Sequence, residues 1–389
     1  MNLTSKFWRR VGWTLFWLLL VHFLIETTGH HYLYNTLKNT VFKGQLGPGI
    51  QEYEGMPGRE VETYEPQPWP VSDEYNQSKL TESEVAYHNQ YESVSFVVVE
   101  RGELVSEHYW QGFDKDSRSN SFSMAKSIVS LLTGIAIQNG QIDGLDKPVY
   151  WYLPQYKTEL GEKITIRHLL TMSSGINFDE HYLNPFAFPA RANYGDNLEL
   201  LLRDYHPEEA PGEVYKYQSG TTQVLAFALN AATRMSLSDY ATKHVWSKIG
   251  AENPAIWSTD YEEGMEKAFC CFNATARDFA RIGQLYLNHG KWNGEQVIDS
   301  AFVAASTTPA DLLTEDGEPN SIYGFQWWIG EHNGESFYFM RGIKGQYVIV
   351  CPKRELVVVR MGRKRHYKED RVHPEDVYHY LDMAFRLTE

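Results

Sequence analysis

Hydrophobic residues are spaced like those of β-strands at both ends of the main body of the chain. Near its start, Ser93–Glu100 and Glu103–Trp110 are rich in β-branched and aromatic residues, and the Arg101-Gly102 pair between them is typical of a hairpin turn. Similar runs return late in the chain, at Phe337–Met340, Gln346–Cys351 and Leu356–Met361. We therefore expect one antiparallel sheet that is built from both ends of the chain.

Between these strands, from about residue 121 to residue 290, the hydrophobic spacing is helical. The strongest helical pattern runs from Met124 to Gln138, where Ile128, Leu131, Leu132 and Ile135 lie on one face. Gly140, a residue typical of helix ends, follows it. Further helical patterns lie near 196–204, 219–234, 236–249, 274–289 and 373–387. These patterns predict an α+β fold, in which helices flank the antiparallel sheet and a mostly helical subdomain is inserted. The expected active site is a cleft between the two subdomains.

The amino terminus has the features of a membrane-targeting segment. Lys6, Arg9 and Arg10 precede the uncharged stretch Val11–Ile25, which as a helix is about 22 Å long and falls short of a roughly 30 Å hydrocarbon core. Such a stretch behind basic residues is typical of a signal peptide, but no A-x-A-like cleavage site follows it. We expect an uncleaved signal-anchor, with residues 7–25 in the membrane and the body exported to the periplasm or another extracytoplasmic space. The alternatives are a cleaved signal peptide and a helix buried in the main fold.

The composition divides the chain into three parts. Residues 1–26 are the signal-anchor or signal peptide, and residues 27–90, rich in Gly, Pro, Glu and Tyr, are predicted to be a tether or lightly structured amino-terminal arm. The third part, residues 91–389, is the predicted catalytic domain. Its sheet subdomain and helical subdomain are expected over about 91–120 with 290–389, and about 121–289, respectively.

Charge and cysteine content exclude several classes of function. The 389 residues include 36 basic and 50 acidic side chains, and the formal net charge of −14 disfavours binding to nucleic acid. The three cysteines, Cys270, Cys271 and Cys351, are too few for a disulfide framework, and the sequence contains neither a CxxC pair nor an HExxH motif. A zinc site therefore has no support in the sequence. No sequence feature predicts another metal, an organic cofactor or a protein partner.

Ser123-Met124-Ala125-Lys126 is an SxxK motif at the start of the strongest predicted helix. A spacing of three residues puts the hydroxyl and the amine on the same face of a helix, within reach of each other. A serine hydroxyl needs an adjacent base to become a good nucleophile, and a lysine can be that base when burial keeps it neutral. The motif by itself is equally compatible with a capping serine followed by a solvated lysine.

Two later segments carry further candidate chemistry. Tyr217 precedes another helical run, and its phenol can donate or accept a proton. At the beginning of a late strand, Gly342 permits close approach to a ligand, and an exposed backbone N–H such as that of Ile343 can face a developing oxyanion. Taken singly, Tyr217 is more simply a structural tyrosine and Arg341 a charge at a sheet edge.

The chain resembles the serine β-lactamase and penicillin-binding-protein superfamily, and in particular its class C-like members. The resemblance rests first on three motifs in order along the chain: Ser123-x-x-Lys126, Tyr217-x-Ser219 and the glycine-containing strand at Gly342. Two intervening segments, 164–175 (ITIRHLLTMSSG) and 274–283 (ATARDFARIG), are similar to characteristic segments of that superfamily. The segment 323–328 (YGFQWW) resembles the branch of 6-aminohexanoate-dimer hydrolases and related carboxylesterases. The resemblance extends over about residues 93–389 and implies a β-lactamase-like fold.

The resemblance also implies a role for each candidate catalytic residue. Ser123 corresponds to the nucleophile, Lys126 to its proton acceptor and Tyr217 to the phenol that returns a proton to the leaving group. The backbone N–H groups of Ser123 and Ile343 correspond to the oxyanion hole, and the neighbouring glycine allows the substrate to approach. All of these residues lie within segments that match the motifs of the superfamily.

At two positions the chain departs from the β-lactamase pattern in residues expected to contact the substrate. Where β-lactamases carry Lys-Thr-Gly, this chain has Met340, Arg341 and Gly342, and where they often have Tyr-x-Asn it has Ser219. We therefore expect Ser219, Arg341 and Gly342 to contribute to substrate binding. Both departures favour an ester or amide other than a β-lactam antibiotic.

The sequence thus predicts a serine hydrolase that cleaves an ester or amide bond of a small substrate through an acyl-enzyme on Ser123. It leaves open a D-alanyl-D-alanine carboxypeptidase, a β-lactamase, and a non-catalytic cell-wall-binding protein of the same fold. The predicted partners are a small-molecule ester or amide and, through the amino-terminal helix, a membrane. Nucleic acid is not among them.

Overall fold

A computed structural model of the chain describes residues 3–45, 47–367 and 372–389. Its strands are β1 (Gly58–Val61), β2 (Ser93–Glu100), β3 (Glu103–Tyr109), β4 (Ser119–Asn120), β5 (Ala255–Ser258), β6 (Phe272–Ala274), β7 (Lys291–Trp292), β8 (Glu295–Gln296), β9 (Trp328–His332), β10 (Glu335–Gly342), β11 (Gln346–Cys351) and β12 (Leu356–Gly362). Its α-helices are α1 (Leu3–Thr27), α2 (Tyr32–Asn39), α3 (Glu82–Gln90), α4 (Ala125–Gln138), α5 (Ile166–Leu170), α6 (Phe188–Tyr194), α7 (Leu198–Leu202), α8 (Ser219–Thr233), α9 (Leu237–Ala241), α10 (Ala276–Leu287), α11 (Ser300–Ser306) and α12 (Glu375–Leu387).

The central layer is a six-stranded antiparallel sheet with the strand order β3-β2-β12-β11-β10-β9. β12 pairs with β2, so that Val357 lies opposite Val99 and Val359 opposite Val97. The predicted hairpin of β2 and β3 and the three late strands are confirmed, and β9 is an edge strand that the sequence pattern did not predict. The sheet is built from both ends of the chain, as expected of the predicted α+β fold.

The sheet is buried on both faces, which explains why its strands are continuously apolar. Side chains alternate between the two faces of a strand, and along β2 Val97 and Val99 belong to the larger hydrophobic core, whereas Phe96 and Val98 belong to a second core. α10 covers the first face and α12 covers the second. Each large apolar side chain buried in this way stabilises the fold by about 1.5–3 kcal/mol.

The predicted helices are present, with shorter bounds. α4 begins directly after a 3₁₀ turn, Phe122–Met124, and ends two residues before Gly140, whose φ of +69° lies in the left-handed region that terminates helices. α7, α8, α10 and α12 each lie within a predicted window. The helix predicted over 236–249 is divided, because α9 passes into a π-helical turn at Thr242–Trp246.

The segment 27–90 is not a tether, and the structure corrects that prediction. β1 pairs with β5 in a second antiparallel sheet of order β1-β5-β6-β4. Ile50, Val61 and Trp69 are buried in the larger hydrophobic core. The glycines and prolines of this segment place turns between buried contacts. The sequence pattern could not show this burial, because the residues that these apolar side chains contact lie far away in the sequence.

α1 extends beyond the uncharged stretch that the sequence analysis measured. Its portion Lys6–Thr27 has 22 residues, is apolar enough to cross a membrane, and has no residue buried against the rest of the protein. As a helix it is about 33 Å long, compared with a hydrocarbon core of about 30 Å. The sequence estimate was shorter because it stopped at the polar residues, through which the helix continues. A signal sequence has the same length and composition.

Candidate active site

Ser123 lies in the 3₁₀ turn Phe122–Met124, directly before α4. The turn is fixed by a hydrogen bond of 2.8 Å from the backbone N–H of Phe122 to Oδ1 of Asn120. Phe122 adopts a φ of +44°, a left-handed conformation that a bulky residue rarely takes. Phe122 and Met124 are buried, whereas Ser123 is partly exposed. The turn therefore anchors its neighbours in the core and presents the serine hydroxyl to the surface of a cavity.

Lys126 lies one helical turn further on, and only 1% of its surface is exposed. Its Nζ donates hydrogen bonds of 3.1 Å to Oγ of Ser123 and 3.1 Å to Oγ of Ser219. A third hydrogen bond, of 2.9 Å, goes to the backbone carbonyl of Phe269. None of these three acceptors is a carboxylate. The structure thus brings the two residues of the SxxK motif into direct contact and adds Ser219 from the start of α8.

Glu180 is a residue of this site that the sequence analysis missed. Its carboxylate accepts a hydrogen bond of 2.8 Å from the backbone N–H of Ser219 and one of 2.5 Å from Oγ of Ser219. It also accepts a hydrogen bond of 2.6 Å from the phenol of Tyr182. A negative charge is therefore connected to the amine of Lys126 through a single serine hydroxyl. No local spacing relates Glu180 to the other residues, so no motif could have revealed it.

Tyr217 lies beside Lys126, with the lysine Nζ 5.0 Å from the centroid of its ring. The ring packs against Trp328, at a centroid distance of 5.4 Å, and against Tyr323, at 6.0 Å. These contacts hold a half-buried phenol at the junction where α8 begins. The structure therefore places Ser123, Lys126, Tyr217 and Ser219 together, as the candidate site requires.

The end of β10 lies against the nucleophile turn. A Cβ atom at position 342 would lie 2.3 Å from the carbonyl oxygen of Ser121, so only glycine permits this approach. Ile343 follows directly and lines the same cavity as Ser123. The two backbone segments that were expected to supply the oxyanion N–H groups are therefore neighbours.

Arg341 points to a different part of the site. Its guanidinium lies 4.4 Å from the ring centroid of Trp328 and donates a hydrogen bond of 3.4 Å to the backbone carbonyl of Val372. Burial, with a contribution from the charge of Arg365, lowers the pKa of the Arg341 guanidinium. Arg341 does not line the cavity beside Ser123. Its contact with Trp328 connects it to the site, because Trp328 packs against the catalytic tyrosine candidate, Tyr217.

A cavity of about 220 Å³ opens beside Ser123 and has a largely apolar wall. Its lining residues are Thr36, Thr40, Gly47, Pro48, Phe122, Ser123, Tyr182, Leu183, Pro185, Pro189, Ala190, Asn193, Tyr194, Ser219, Phe269, Cys270 and Ile343. Cys270 forms a disulfide with its neighbour Cys271, a pairing that the sequence analysis did not predict. The first four lining residues come from the amino-terminal segment, which therefore contributes to the site.

A second buried lysine supports the wall of this cavity. Lys267 is 3% exposed, and its Nζ donates a hydrogen bond of 2.7 Å to the backbone carbonyl of Asn193. Burial lowers the pKa of Lys267 to about 8, although the carboxylates of Asp260 and Glu52 act in the opposite direction. Within residues 3–45, 47–367 and 372–389, no three His, Cys, Asp or Glu side chains are grouped so that they could hold a metal ion.

The sequence is similar to known proteins over most of its length. The model of the Beta-lactamase family matches residues 78–381. The 6-aminohexanoate-dimer hydrolase of Paenarthrobacter ureafaciens is 26% identical over 287 residues, which cover 69% of this chain and 72% of that protein.

Solved structures show the same fold. A Bacillus anthracis structure with the provisional name 6-aminohexanoate-dimer hydrolase is 25% identical, with a TM-score of 0.73 over 87% of this chain and 93% of that one. The octameric penicillin-binding protein homologue from Pyrococcus abyssi is 18% identical, with a TM-score of 0.61 over 78% of this chain and 76% of that one. These likenesses confirm the β-lactamase-like fold that the resemblance implied.

Proposed function

The chain belongs to the β-lactamase family, and from this membership we propose that it is a serine hydrolase that cleaves an ester or amide through an acyl-enzyme on Ser123. The observation that carries the proposal is the buried amine of Lys126, which contacts the hydroxyls of both Ser123 and Ser219. A lysine held in this way, beside a hydroxyl that faces a cavity, is the arrangement that an activated serine needs.

The reacting form of Lys126 in this proposal is the free amine, whose two N–H groups donate to Ser219 and Phe269 while the Ser123 hydroxyl donates to the lone pair of Nζ. Lys126 then accepts the proton of Ser123 while Oγ attacks the carbonyl carbon of the substrate. The backbone N–H groups of Ser123 and Ile343 bind the tetrahedral oxyanion, and one such donor stabilises the transition state by about 3–4 kcal/mol. Tyr217 gives a proton to the leaving alcohol or amine as its bond to the carbonyl breaks. Water then attacks the acyl-enzyme through the same groups and releases the acid and the free serine.

Glu180 completes this mechanism electrostatically. The amine of Lys126 gains a positive charge when it takes the serine proton, at a position where burial removes the solvation that water would provide. The carboxylate of Glu180, connected through Oγ of Ser219, stabilises that charge without contacting the reacting atoms. Glu180 is therefore proposed as a positioning residue for the lysine, and Ser219 as the hydroxyl that links them.

The proposed substrate is a small ester or amide other than a β-lactam. The relative from Paenarthrobacter ureafaciens is named as a hydrolase of the 6-aminohexanoate dimer. The cavity beside Ser123 is largely apolar, and Arg341 packs on Trp328 outside it. Both features support a neutral acyl group more than the carboxylate of an antibiotic. We propose that Ser219 and Gly342 contact the substrate close to Ser123. Arg341 is proposed to contribute to substrate binding further from Ser123, beside Trp328.

The amino-terminal helix is proposed to be a membrane anchor. The portion Lys6–Thr27 is long and apolar enough to span a bilayer, and Lys6, Arg9 and Arg10 lie at its amino-terminal end. In this arrangement residues 7–25 lie in the membrane and the catalytic domain, residues 91–389, lies in the periplasm or another extracytoplasmic space.

Active-site labelling and ester turnover test the function. The full chain in detergent micelles is expected to react with a fluorophosphonate probe and to hydrolyse p-nitrophenyl butyrate, and Ser123→Ala is expected to lose both activities by at least about a thousandfold. Lys126→Ala is expected to be nearly as inactive, because the hydroxyl then lacks its base. Ser83→Ala, at an exposed serine of α3, is the matched control. Labelling of Ser123→Ala at the wild-type rate would show that the nucleophile is elsewhere.

A further inference from the structure

Outside α1, the exposed large apolar side chains are most closely grouped on two segments beside the active-site cavity. We define the mouth patch as Leu37, Val41, Phe42, Leu183 and Phe186. Phe42 is 81% exposed and Leu183 is 88% exposed. Single exposed apolar residues are common on protein surfaces, but a group of them beside a cavity marks a surface that contacts another apolar phase.

The two segments of the mouth patch lie on opposite sides of the same cavity. The ring of His30 lies 5.6 Å from the ring of Phe186. α2 carries Leu37, and the 3₁₀ turn Val41–Lys43 directly after it carries Val41 and Phe42. α2 packs against α6, which follows the second segment. Thr36 and Thr40 line the cavity from one side, and Leu183 lines it from the other. The mouth patch therefore borders the cavity on the outer surface of the protein.

The mouth patch is held close to the end of the proposed membrane anchor. α1 ends at Thr27 and α2 begins at Tyr32, so the four intervening residues span at most about 14 Å. The phenol of Tyr34 lies 2.6 Å from Nδ1 of His22, and this contact holds α2 against the last turns of α1. Because α1 is proposed to span the bilayer, the patch lies at the level of the bilayer surface.

The charges around the mouth patch favour a bilayer over a protein partner. Lys38 and Lys43 are exposed beside its apolar side chains. Lysines that flank apolar and aromatic residues are typical of membrane-contacting surfaces, where their amines attract anionic headgroups. The cores of protein interfaces, in contrast, are depleted in lysine.

We propose that the mouth patch rests on the membrane surface and that the enzyme takes its substrate, an ester or amide of a fatty acyl chain, directly from the bilayer. This inference rests on the proposed function and on the proposed anchor. The cavity leads from the patch to Ser123, so an acyl chain can move from lipid to an apolar wall without crossing water. The exposed apolar patch, which is unfavourable in water, thereby serves as the entrance of the active site.

The acyl chain, and not the headgroup, occupies the cavity. Ser123 and Ile343 line it, whereas Tyr217, the proposed donor to the leaving group, does not. Oγ of Ser123 forms a bond with the acyl carbonyl carbon, and the bond from that carbon to the headgroup oxygen or nitrogen breaks. The headgroup leaves with the proton from Tyr217, and water then releases the fatty acid.

The position of the mouth patch is tested without enzymatic activity. The full chain is reconstituted in phosphatidylcholine and phosphatidylglycerol vesicles, with an environment-sensitive NBD dye on Phe42→Cys or, as the control, on Val71→Cys. The natural cysteines do not compete, because Cys351 is buried and Cys270 is bonded to Cys271. We expect a blue shift and a rise in emission at position 42 only. Equal, water-like emission at both positions would overturn the proposed placement.

The substrate class is tested by comparing a vesicle-borne ester with a soluble one. The double variant Val41→Ser with Phe42→Ser is expected to hydrolyse a long-chain fluorogenic acyl ester in those vesicles about tenfold more slowly than wild type. Its rate with p-nitrophenyl butyrate should be unchanged, because neither residue lines the cavity. The matched control is Val71→Ser, since Val71 is 53% exposed and Val41 59% exposed.

The outcomes distinguish this inference from the proposed function. Hydrolysis of the soluble ester by wild type but not of the vesicle ester, or equal vesicle rates for the double variant and wild type, would overturn the inference and leave the hydrolase intact. A soluble-ester activity that survives in Ser123→Ala would overturn the proposed function instead. Labelling at position 42 is independent of both results, because it requires no turnover.

Discussion

Lys126 reaches its hydrogen-bond partners in two different ways. Ser123 is three residues away on one helical face, so the sequence spacing is sufficient to predict their contact. Ser219 and Phe269 belong to other parts of the chain, and the packing of α4 against α8 contributes to bringing them to the same amine. Glu180 enters one bond further out, through Ser219. The chemistry of a single side chain therefore combines a local motif with contacts that only folding creates.

Replacing Glu180 tests its proposed effect on the lysine. Glu180→Gln keeps the size of the side chain and removes its charge, and a hydrogen bond to a charged group is worth about 1.5–3 kcal/mol. We expect kcat/KM for p-nitrophenyl butyrate to fall by about tenfold to a hundredfold, with a displaced pH profile and an unchanged melting temperature. Glu208→Gln, at an exposed carboxylate bonded to Asn177, is the control. Normal turnover of Glu180→Gln would contradict the electrostatic role.

His88 makes the stability of the protein sensitive to acid. It is fully buried between Trp110 and Tyr380, and burial, aided by the charges of Arg360 and His108, lowers its pKa to about 3. The folded protein therefore holds His88 neutral, whereas the unfolded chain takes up a proton below about pH 6.5. This stabilisation is present above pH 6.5 and is lost progressively as the pH falls towards 3.

The expected contribution of His88 is about 2 kcal/mol of unfolding free energy lost between pH 7 and pH 5. Urea unfolding of wild type and His88→Gln at both pH values measures it. The variant is expected to be less stable at pH 7 and to lose less free energy on acidification. His181→Gln, at an exposed histidine, is the control and should follow wild type. Parallel pH dependence of His88→Gln and wild type would show that another group causes the acid sensitivity.

At the scale of elements, α10 lies unusually close to the central sheet. Its apolar face belongs to the larger core, and Gly283 is the point of contact with the strands. A Cβ atom at that position would lie 2.6 Å from Cγ1 of Val357 and 2.8 Å from Cγ1 of Val348. The same glycine ends the segment 274–283 that resembles the superfamily. The glycine of this segment is therefore explained by the packing of α10 against β11 and β12.

Gly283→Ala tests this packing. The added methyl must displace either α10 or two buried valines, and overpacking of this kind costs about 1–3 kcal/mol. We expect a lower denaturant midpoint with an unchanged m-value, measured by urea unfolding. Gly55→Ala, where an added Cβ atom would contact nothing within 4 Å, should be close to neutral. A fully stable Gly283→Ala would mean that the helix moves away from the sheet at no cost.

At the scale of the whole molecule, the segment 27–90 is part of the folded body. Trp69 is 5% exposed, its Nε1 donates a hydrogen bond of 3.0 Å to the backbone carbonyl of Arg277, and its ring lies 4.8 Å from the guanidinium carbon of Arg281. The segment also supplies β1 to the second sheet and four residues to the wall of the active-site cavity. It joins the proposed anchor to the catalytic domain through extensive buried contacts.

Trp69→Ala distinguishes a folded segment from a tether. Truncation of a large buried side chain leaves a cavity and costs about 3–5 kcal/mol, whereas the same change in a linker costs nothing. We expect a clear loss of stability in urea unfolding of the full chain. The control is Trp151→Ala, because Trp151 is 62% exposed. Equal stability of the two variants would indicate that residues around Trp69 contribute no folding energy.

The sequence by itself determined the features that depend on neighbouring residues. The order of strands and helices, the hairpin at β2 and β3, and the contact between Ser123 and Lys126 follow from periodicities of two, 3.6 and three residues. Motifs in the correct order also determined the family, since each is a short run whose residues act together. Helix bounds were less well predicted because helix ends depend on capping and packing as well as on hydrophobic spacing.

Only the tertiary structure decided which distant residues share the site. Glu180 comes from a loop, and no period or motif in the sequence relates its position to Ser123. Ser219 and Ile343 were assigned to the site by the resemblance alone, and their actual contacts with it depend on how a helix start and a strand end are packed. The incorporation of residues 27–90 into the core was hidden for the same reason, because a buried side chain such as Val61 gains its stability from partners far along the chain. Hydrophobic burial depends on neighbours in space, and a linear pattern records only neighbours in sequence.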